Sequence, residues 1–163
     1  MLLNIESLFF EIKNLLSSDE VIKKLLFYND SDALEKVTPT LADVESHFFI
    51  KPIIYVYEDS PEANINNFLS IGYVKGTPLE GSTRHMLKIS VASERRLWEL
   101  KDNKIRPLRI ANKVIEKINK RKFGPATILK LDDIREVHFS NDLVGYILLF
   151  ELWDEQGDIV NEF

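Results

Sequence analysis

The segment from Leu143 to Trp153 constrains the fold more than any other part of the sequence, because its side chains alternate with a period of two residues. One face of the resulting strand carries Val144, Tyr146, Leu148, Phe150 and Leu152, and the other carries Gly145, Ile147, Leu149 and Glu151. A strand with so apolar a face belongs in a sheet that a second layer covers. The sequence therefore predicts a sheet with helices packed against it.

Two amphipathic helices are predicted near the N-terminus. Apolar residues recur at steps of three and four over residues 2–16, which predicts the first helix. Ser17 and Glu20 have the spacing of a capping box, and residues 21–26 then predict a second, shorter helix. The pattern over residues 34–49 is too mixed to assign and indicates an extended connector.

The middle of the chain predicts two strands around a long loop. Residues 53–57 are β-branched or aromatic without a break, and residues 87–91 alternate like a half-buried strand. Between them, residues 58–83 are rich in proline, glycine and asparagine, which predicts a long loop with at most a short piece of regular structure around residues 68–74.

A basic helix follows a turn at Asp102 and Asn103, with Pro107 in its first turn. Its apolar face carries Leu108, Ala111, Val114, Ile115 and Ile118, and lysines and arginines occupy the other faces. Phe123, Gly124 and Pro125 are predicted to end it. The cations near its C-terminal end are explained by the helix dipole, and Phe123 is the single aromatic residue there that could stack on a nucleic-acid base.

Three strands are predicted to complete the chain, at residues 126–131, 134–139 and 143–153, with turns at residues 132–133 and 140–142. Residues 155–163 are predicted to be a flexible tail. The predicted architecture is one α+β domain over residues 1–163. It has a mixed or mainly antiparallel sheet, N-terminal helices and the basic amphipathic helix packed on one face.

The charge of the chain is distributed in three blocks. The net charge of −5 divides into −7 for residues 1–83, +9 for residues 84–122 and −7 for residues 123–163. Such blocks fit either the solvated faces of one domain or complementary contacts between copies or with a partner.

The sequence contains no cysteine, which excludes disulfides and thiolate metal sites. It shows no export signal and no membrane-spanning run, so we expect it in the cytosol of the cell that makes it.

No catalytic, cofactor or metal site is predicted. The glycines do not have the spacing of a phosphate-binding loop, and no serine lies in a nucleophile elbow. Asp43, Glu45 and His47 form the one local cluster that resembles a ligand set, and we interpret it as a solvated segment.

The order of pieces in residues 84–153 resembles the tail-terminator or tail-completion proteins of long-tailed bacteriophages. The residues that carry the resemblance are Leu87 to Trp98, the run Asp102-Asn103-Lys104-Ile105-Arg106-Pro107-Leu108-Arg109-Ile110-Ala111-Asn112, a helix ending before Phe123-Gly124, and the strand Leu143-Val144-Gly145-Tyr146-Ile147-Leu148-Leu149-Phe150. Members of that family are small α+β proteins that form a ring, commonly a hexamer, on the head-proximal end of the tail tube.

The resemblance implies a structural role without catalysis, in which the ring stops tube polymerisation and offers a docking surface to the neck. The implied partners are other copies of the chain, the tail tube protein and the head-completion or neck proteins. DNA would pass through the ring without sequence-specific recognition, and no membrane is involved. The implied location is the tail-neck region of the virion, after assembly in the host cytoplasm.

The basic block supplies the candidate residues for contacts between subunits or with the neck, which are Arg95, Arg96, Lys101, Lys104, Arg106 and Arg109. Three alternatives stay open: another ring component of the head-tail connector, a small cytosolic ligand-binding domain or enzyme with a pocket under residues 58–83, and a nucleic-acid adaptor that uses the basic helix.

Overall fold

A computed structural model describes residues 5–50, 66–79, 82–124 and 127–154. Its described helices are α1 (Ile5–Ser17), α2 (Glu20–Phe27), α3 (Leu41–Val44) and α4 (Arg106–Ile118). Its described strands are β1 (Phe48–Phe49), β2 (Asn67–Leu79), β3 (Ser82–Glu94), β4 (Glu99–Leu100), β5 (Lys104–Ile105), β6 (Lys122–Phe123), β7 (Thr127–His138) and β8 (Leu143–Asp154).

Six of these strands form one sheet in the order β1-β2-β3-β8-β7-β6, while β4 and β5 form a separate small hairpin. The β1–β2 pair is parallel and the other pairs of the large sheet are antiparallel. The predicted α+β class with a mixed, mainly antiparallel sheet is therefore confirmed.

The main core lies between one face of this sheet and the helices α1, α2 and α4. The apolar face predicted for β8 is confirmed, since Leu148, Phe150 and Leu152 are buried in this core. The basic helix α4 packs on one face of the sheet, as predicted, and its contacts with the sheet are mainly with β3 and β8. Its predicted apolar face is confirmed at Ala111, Val114 and Ile118, but it is wrong at Leu108, which is 38% exposed while Ile110 is buried instead. A smaller apolar cluster of Phe68, Ala92 and Leu143 forms separately.

The N-terminal helices are confirmed, but the predicted cap of α2 is wrong. Asp19 rather than Ser17 caps the helix, and its carboxylate accepts a hydrogen bond of 2.9 Å from the Ile22 backbone N–H. The Ser17 hydroxyl instead donates to the Asn14 carbonyl within α1. The mixed segment 34–49 contains short elements, among them α3, which begins with a capping box between Thr40 and Asp43.

The loop predicted over residues 58–83 is wrong for residues 75–79 and 82–83, which lie in strands, while the short piece of regular structure predicted around residues 68–74 is present as part of a longer strand. Strand β2 begins at Asn67 and pairs with β3 over almost its full length, and the register shifts between Lys75 and Pro78. Turn-forming residues such as Gly72 lie inside the strand because pairing with a neighbour outweighs their weak strand propensity. Strand β3 is correspondingly longer than the predicted 87–91.

Two predicted ends in the C-terminal half are also wrong. Helix α4 ends at Ile118, five residues before the predicted stop, and the turn after it leads into β6. Asp132 and Asp133 do not form a turn but lie within β7, where the register with β8 shifts between Leu131 and Asp133. A β-bulge absorbs one extra residue in this way and lets a strand continue.

Some predictions lie outside the described residues: the strand at residues 53–57, the part of the loop at residues 58–65, and the flexible tail at residues 155–163.

Candidate functional site

The six candidate basic residues all lie between the end of β3 and the first turn of α4. Arg95 and Arg96 form a single 3-10 turn with Leu97. Lys101 and Lys104 flank the turn of the β4–β5 hairpin, and Arg106 and Arg109 lie in the first turn of α4. The structure separates these six residues into four environments.

Arg95 and Arg96 line an open groove at one end of the sheet. The main part has a volume of about 560 Å³ and an adjoining part about 340 Å³. We call it the Arg95 groove, and its lining residues are Glu94, Arg95, Arg96, Trp98, Glu99, Ile105, Glu136, His138, Asp142 and Val144. It thus collects side chains from β3, β4, β5, β7, β8 and the turns between them.

Backbone and aromatic contacts hold the floor of the groove in place. The Arg95 backbone N–H donates to the Asp142 carbonyl at 2.8 Å, and the Trp98 indole N–H donates to the Ser93 carbonyl at 3.3 Å. The Trp98 ring stacks on the Tyr146 ring, with 6.5 Å between the centroids and 28° between the planes. Burial, followed by the nearby charge of Glu136, raises the pKa of the Tyr146 hydroxyl, so this hydroxyl is neutral at physiological pH.

Acidic residues outnumber arginines among the residues that line the groove, although this segment became a candidate site because of its arginines. The Arg96 guanidinium pairs with the Glu94 carboxylate at 2.5 Å, and the His138 Nε2 lies 3.8 Å from a Glu136 carboxylate oxygen. Within the described part of the chain, Arg95 has no ion pair. Four carboxylates, those of Glu94, Glu99, Glu136 and Asp142, therefore surround two guanidinium groups.

Arg106 lies in the interior, which corrects its prediction as a contact residue. Its side chain is fully buried and donates hydrogen bonds to four backbone carbonyls: Leu97 at 2.8 Å, Leu25 at 2.8 Å, Tyr28 at 2.5 Å and Asp30 at 2.8 Å. Burial lowers the pKa of its guanidinium to about 10, against the opposing charge of Asp30, so the group stays protonated at neutral pH. Leu97 lies between the groove residues Arg96 and Trp98, so Arg106 connects the segment that lines the groove to the C-terminal end of α2.

The remaining candidates lie elsewhere. Lys101 pairs with Glu35 at 2.9 Å, which raises the pKa of the lysine, and Lys104 lies 3.9 Å from Asp102. Both lysines line a small cavity of about 100 Å³ against residues 31–35. Arg109 is half-buried, and its Nε has no hydrogen-bond partner among the described residues.

Sequence reasoning missed most of the groove's other side chains. Trp98, Glu136 and His138 come from separate elements and meet only because β7 and β8 pair along their length. The local signal that could have been used is Trp98 itself, an aromatic residue two positions after a pair of arginines. Aromatic and arginine side chains are enriched together at protein interfaces.

The acidic cluster near His47 has a structural role. The Asp43 carboxylate accepts hydrogen bonds from the Thr40 backbone and hydroxyl, which lower its pKa. The His47 Nδ1 lies 2.7 Å from the Asn67 carbonyl, which can only accept. Among the described residues, no group of three histidines or carboxylates could hold a metal ion. Within the same residues, no helix has the length and apolarity that crossing a membrane requires.

The family described as YomW matches over residues 19–152, a range that includes α2, α4 and almost the whole sheet. No curated protein and no solved structure shows significant similarity to the chain. Since the matched range covers well over half of its residues, the chain belongs to the YomW family, which is a phage-derived family of the SPbeta type.

Proposed function

We propose that the protein is a structural component of a phage tail. In this proposal it forms a ring at the head-proximal end of the tail tube, ends polymerisation of the tube and provides the docking surface for the neck. The observation that carries the proposal is the match to a phage-derived family over residues 19–152. That range contains nearly all of the segment whose order of elements resembles the tail terminators.

The Arg95 groove supports a role in protein contact. Its floor is aromatic, its rim carries both signs of charge, and Ile105 remains 41% exposed at its edge. Such a mixture of aromatic, arginine and apolar surface is typical of the centre of protein–protein interfaces. A ring needs two different complementary surfaces on each copy, because its contacts are head-to-tail.

Deletion of the gene from the phage genome tests the proposal. We expect tails of uncontrolled length and separate, DNA-filled heads, with both defects rescued by the gene in trans. Tails of normal length that fail to join heads would contradict a terminator role and would favour another ring of the head-tail connector. Normal virions from the deletion would remove the protein from tail assembly altogether.

A further inference from the structure

We propose that the Arg95 groove binds the basic turn at Lys120, Arg121 and Lys122 of a second copy of the chain. This inference rests on the proposed ring and identifies the surfaces that would meet between neighbouring subunits. Three observations support it: the groove is acidic and aromatic, the cations of the turn are exposed, and the groove and the turn lie at opposite ends of one copy.

The groove has the chemistry of a site that accepts cationic side chains. The Trp98 ring forms its floor, stacked on Tyr146, and a cation over an indole face is attracted by the ring's quadrupole. Glu99 and Glu136 lie on its rim, and both are exposed in the single chain. Arg96 is paired with Glu94, Glu99 has no ion pair among the described residues, and Glu136 has a single contact of 3.8 Å with His138, so Glu99 and Glu136 can accept an incoming lysine or arginine.

Backbone hydrogen bonds hold the basic turn in place. The Lys120 backbone N–H donates to the Leu129 carbonyl at 2.7 Å, and the Leu129 N–H donates back to the Arg121 carbonyl at 3.3 Å. Lys120 has a left-handed φ of 62°, which turns the chain sharply at the end of α4. Lys120 and Arg121 are exposed, and neither forms an ion pair within the described residues. A preorganised loop loses less conformational freedom when it binds.

The two surfaces lie too far apart to meet within one copy. Val144 lines the groove, whereas the basic turn is bound to Leu129, whose partner on β8 is Leu152. Leu152 lies eight positions after Val144 on β8, which corresponds to about 26 Å at roughly 3.3 Å per strand residue. The turn of one copy can therefore reach only the groove of another copy. Contacts between two different surfaces produce closed rings or open filaments.

Disulfide trapping tests this contact cleanly, because the native chain contains no cysteine. Two single variants, Lys120→Cys and Glu136→Cys, are purified, mixed in equal amounts with tail tubes, and oxidised. We expect the mixed disulfide dimer to exceed both homodimers several-fold, and the double variant to give a ladder of covalent oligomers. The matched control replaces Glu136→Cys with Val37→Cys, since Val37 is 82% exposed and lies in the segment between α2 and α3.

Charge reversal gives a second readout. We expect the double variant Lys120→Glu, Arg121→Glu to form no oligomer on tail tubes, and we expect the same of the double variant Glu99→Lys, Glu136→Lys. A mixture of the two variants should restore the charge complementarity and form oligomers in which the two proteins alternate. All four positions are exposed, and thermal unfolding of each variant checks that the fold is retained.

The outcomes separate the inference from the function on which it rests. If wild-type protein covers tube ends but Lys120→Cys and Glu136→Cys cross-link no more than the Val37→Cys control, the proposed contact is wrong and the terminator role stands. If the cross-link forms but tube ends stay uncovered, the terminator role is wrong and the contact between copies stands.

Discussion

Arg106 is buried in the structure, although its sequence context predicts an exposed side chain. In the sequence it belongs to a run of basic residues on an amphipathic helix, where charged side chains normally face solvent. In the structure it donates to the carbonyls of Leu25, Tyr28 and Asp30, which lie at and just after the C-terminal end of α2. Helix C-termini leave carbonyls without partners, and a buried guanidinium with five donors can satisfy several of them at once.

Substitution of Arg106 therefore tests stability rather than assembly. We expect Arg106→Met to lower the free energy of unfolding by about 3–5 kcal/mol, because several buried carbonyls lose their donor together. Arg95→Met is the matched control, and we expect a change within about 0.5 kcal/mol because Arg95 is exposed. Urea unfolding measures both. Equal stability of the two variants would contradict the structural role assigned to Arg106.

His47 predicts a dependence of stability on pH. Burial lowers the pKa of its imidazole below the ordinary value of 6.5, and its hydrogen bond to the Asn67 carbonyl opposes this only in part. The unfolded chain then binds the proton more readily than the folded chain. Stability contributed by neutral His47 is fully present above about pH 6.5 and is lost as the pH falls towards the folded pKa.

The variant His47→Asn keeps a side-chain donor near the Asn67 carbonyl and removes the titration. We expect the wild-type free energy of unfolding to fall between pH 7 and pH 5.5, and that of the variant to fall less. Exposed carboxylates with a lowered pKa, such as those of Glu20 and Asp30, take up protons at lower pH and do not change the stability between pH 7 and pH 5.5. Parallel pH profiles for the two proteins would rule out His47 as the cause.

At the scale of elements, strong periodicity predicted well and turn-forming composition did not. The helical period of α1 and α4 and the alternation in β8 follow from a single buried face, so the sequence carries them directly. Strand β2 contains Gly72, Gly76 and Pro78, and its existence depends on pairing with β3 rather than on its own propensity. Pairing across a sheet is a tertiary property that local composition does not contain.

The pair of β3 and β8 depends on the absence of a side chain at Gly145. A Cβ atom there would collide with the Val91 carbonyl oxygen and lie 2.8 Å from the Ala92 Cα, and both neighbours are backbone. We expect Gly145→Ala to lower the free energy of unfolding by about 1–3 kcal/mol or more, since backbone cannot move aside cheaply. Gly72→Ala is the control, because no atom lies within 4 Å of its added Cβ. Identical melting temperatures for both variants would contradict the close approach.

At the scale of the whole molecule, the three charge blocks of the sequence do not form three separate surfaces. The basic block contributes Arg95 and Arg96 to a groove whose other charged residues are acidic, Arg106 to the interior, and Lys120 to the opposite end. Residues such as Glu136 reach the groove only through the long β7–β8 pair. The sequence could locate part of the candidate site, at Arg95 and Arg96. The sign of the groove's net charge could not be predicted, because it depends on which strands from distant parts of the sequence line the groove.

The most direct test of a ring that terminates the tube is electron microscopy of tail tubes mixed with gold-labelled protein. We expect one compact density at a single end of each tube, and tubes bearing it should not lengthen when fresh tube subunits are added. Label distributed along the tube walls, or tubes that continue to grow from labelled ends, would contradict a terminator that binds as a ring.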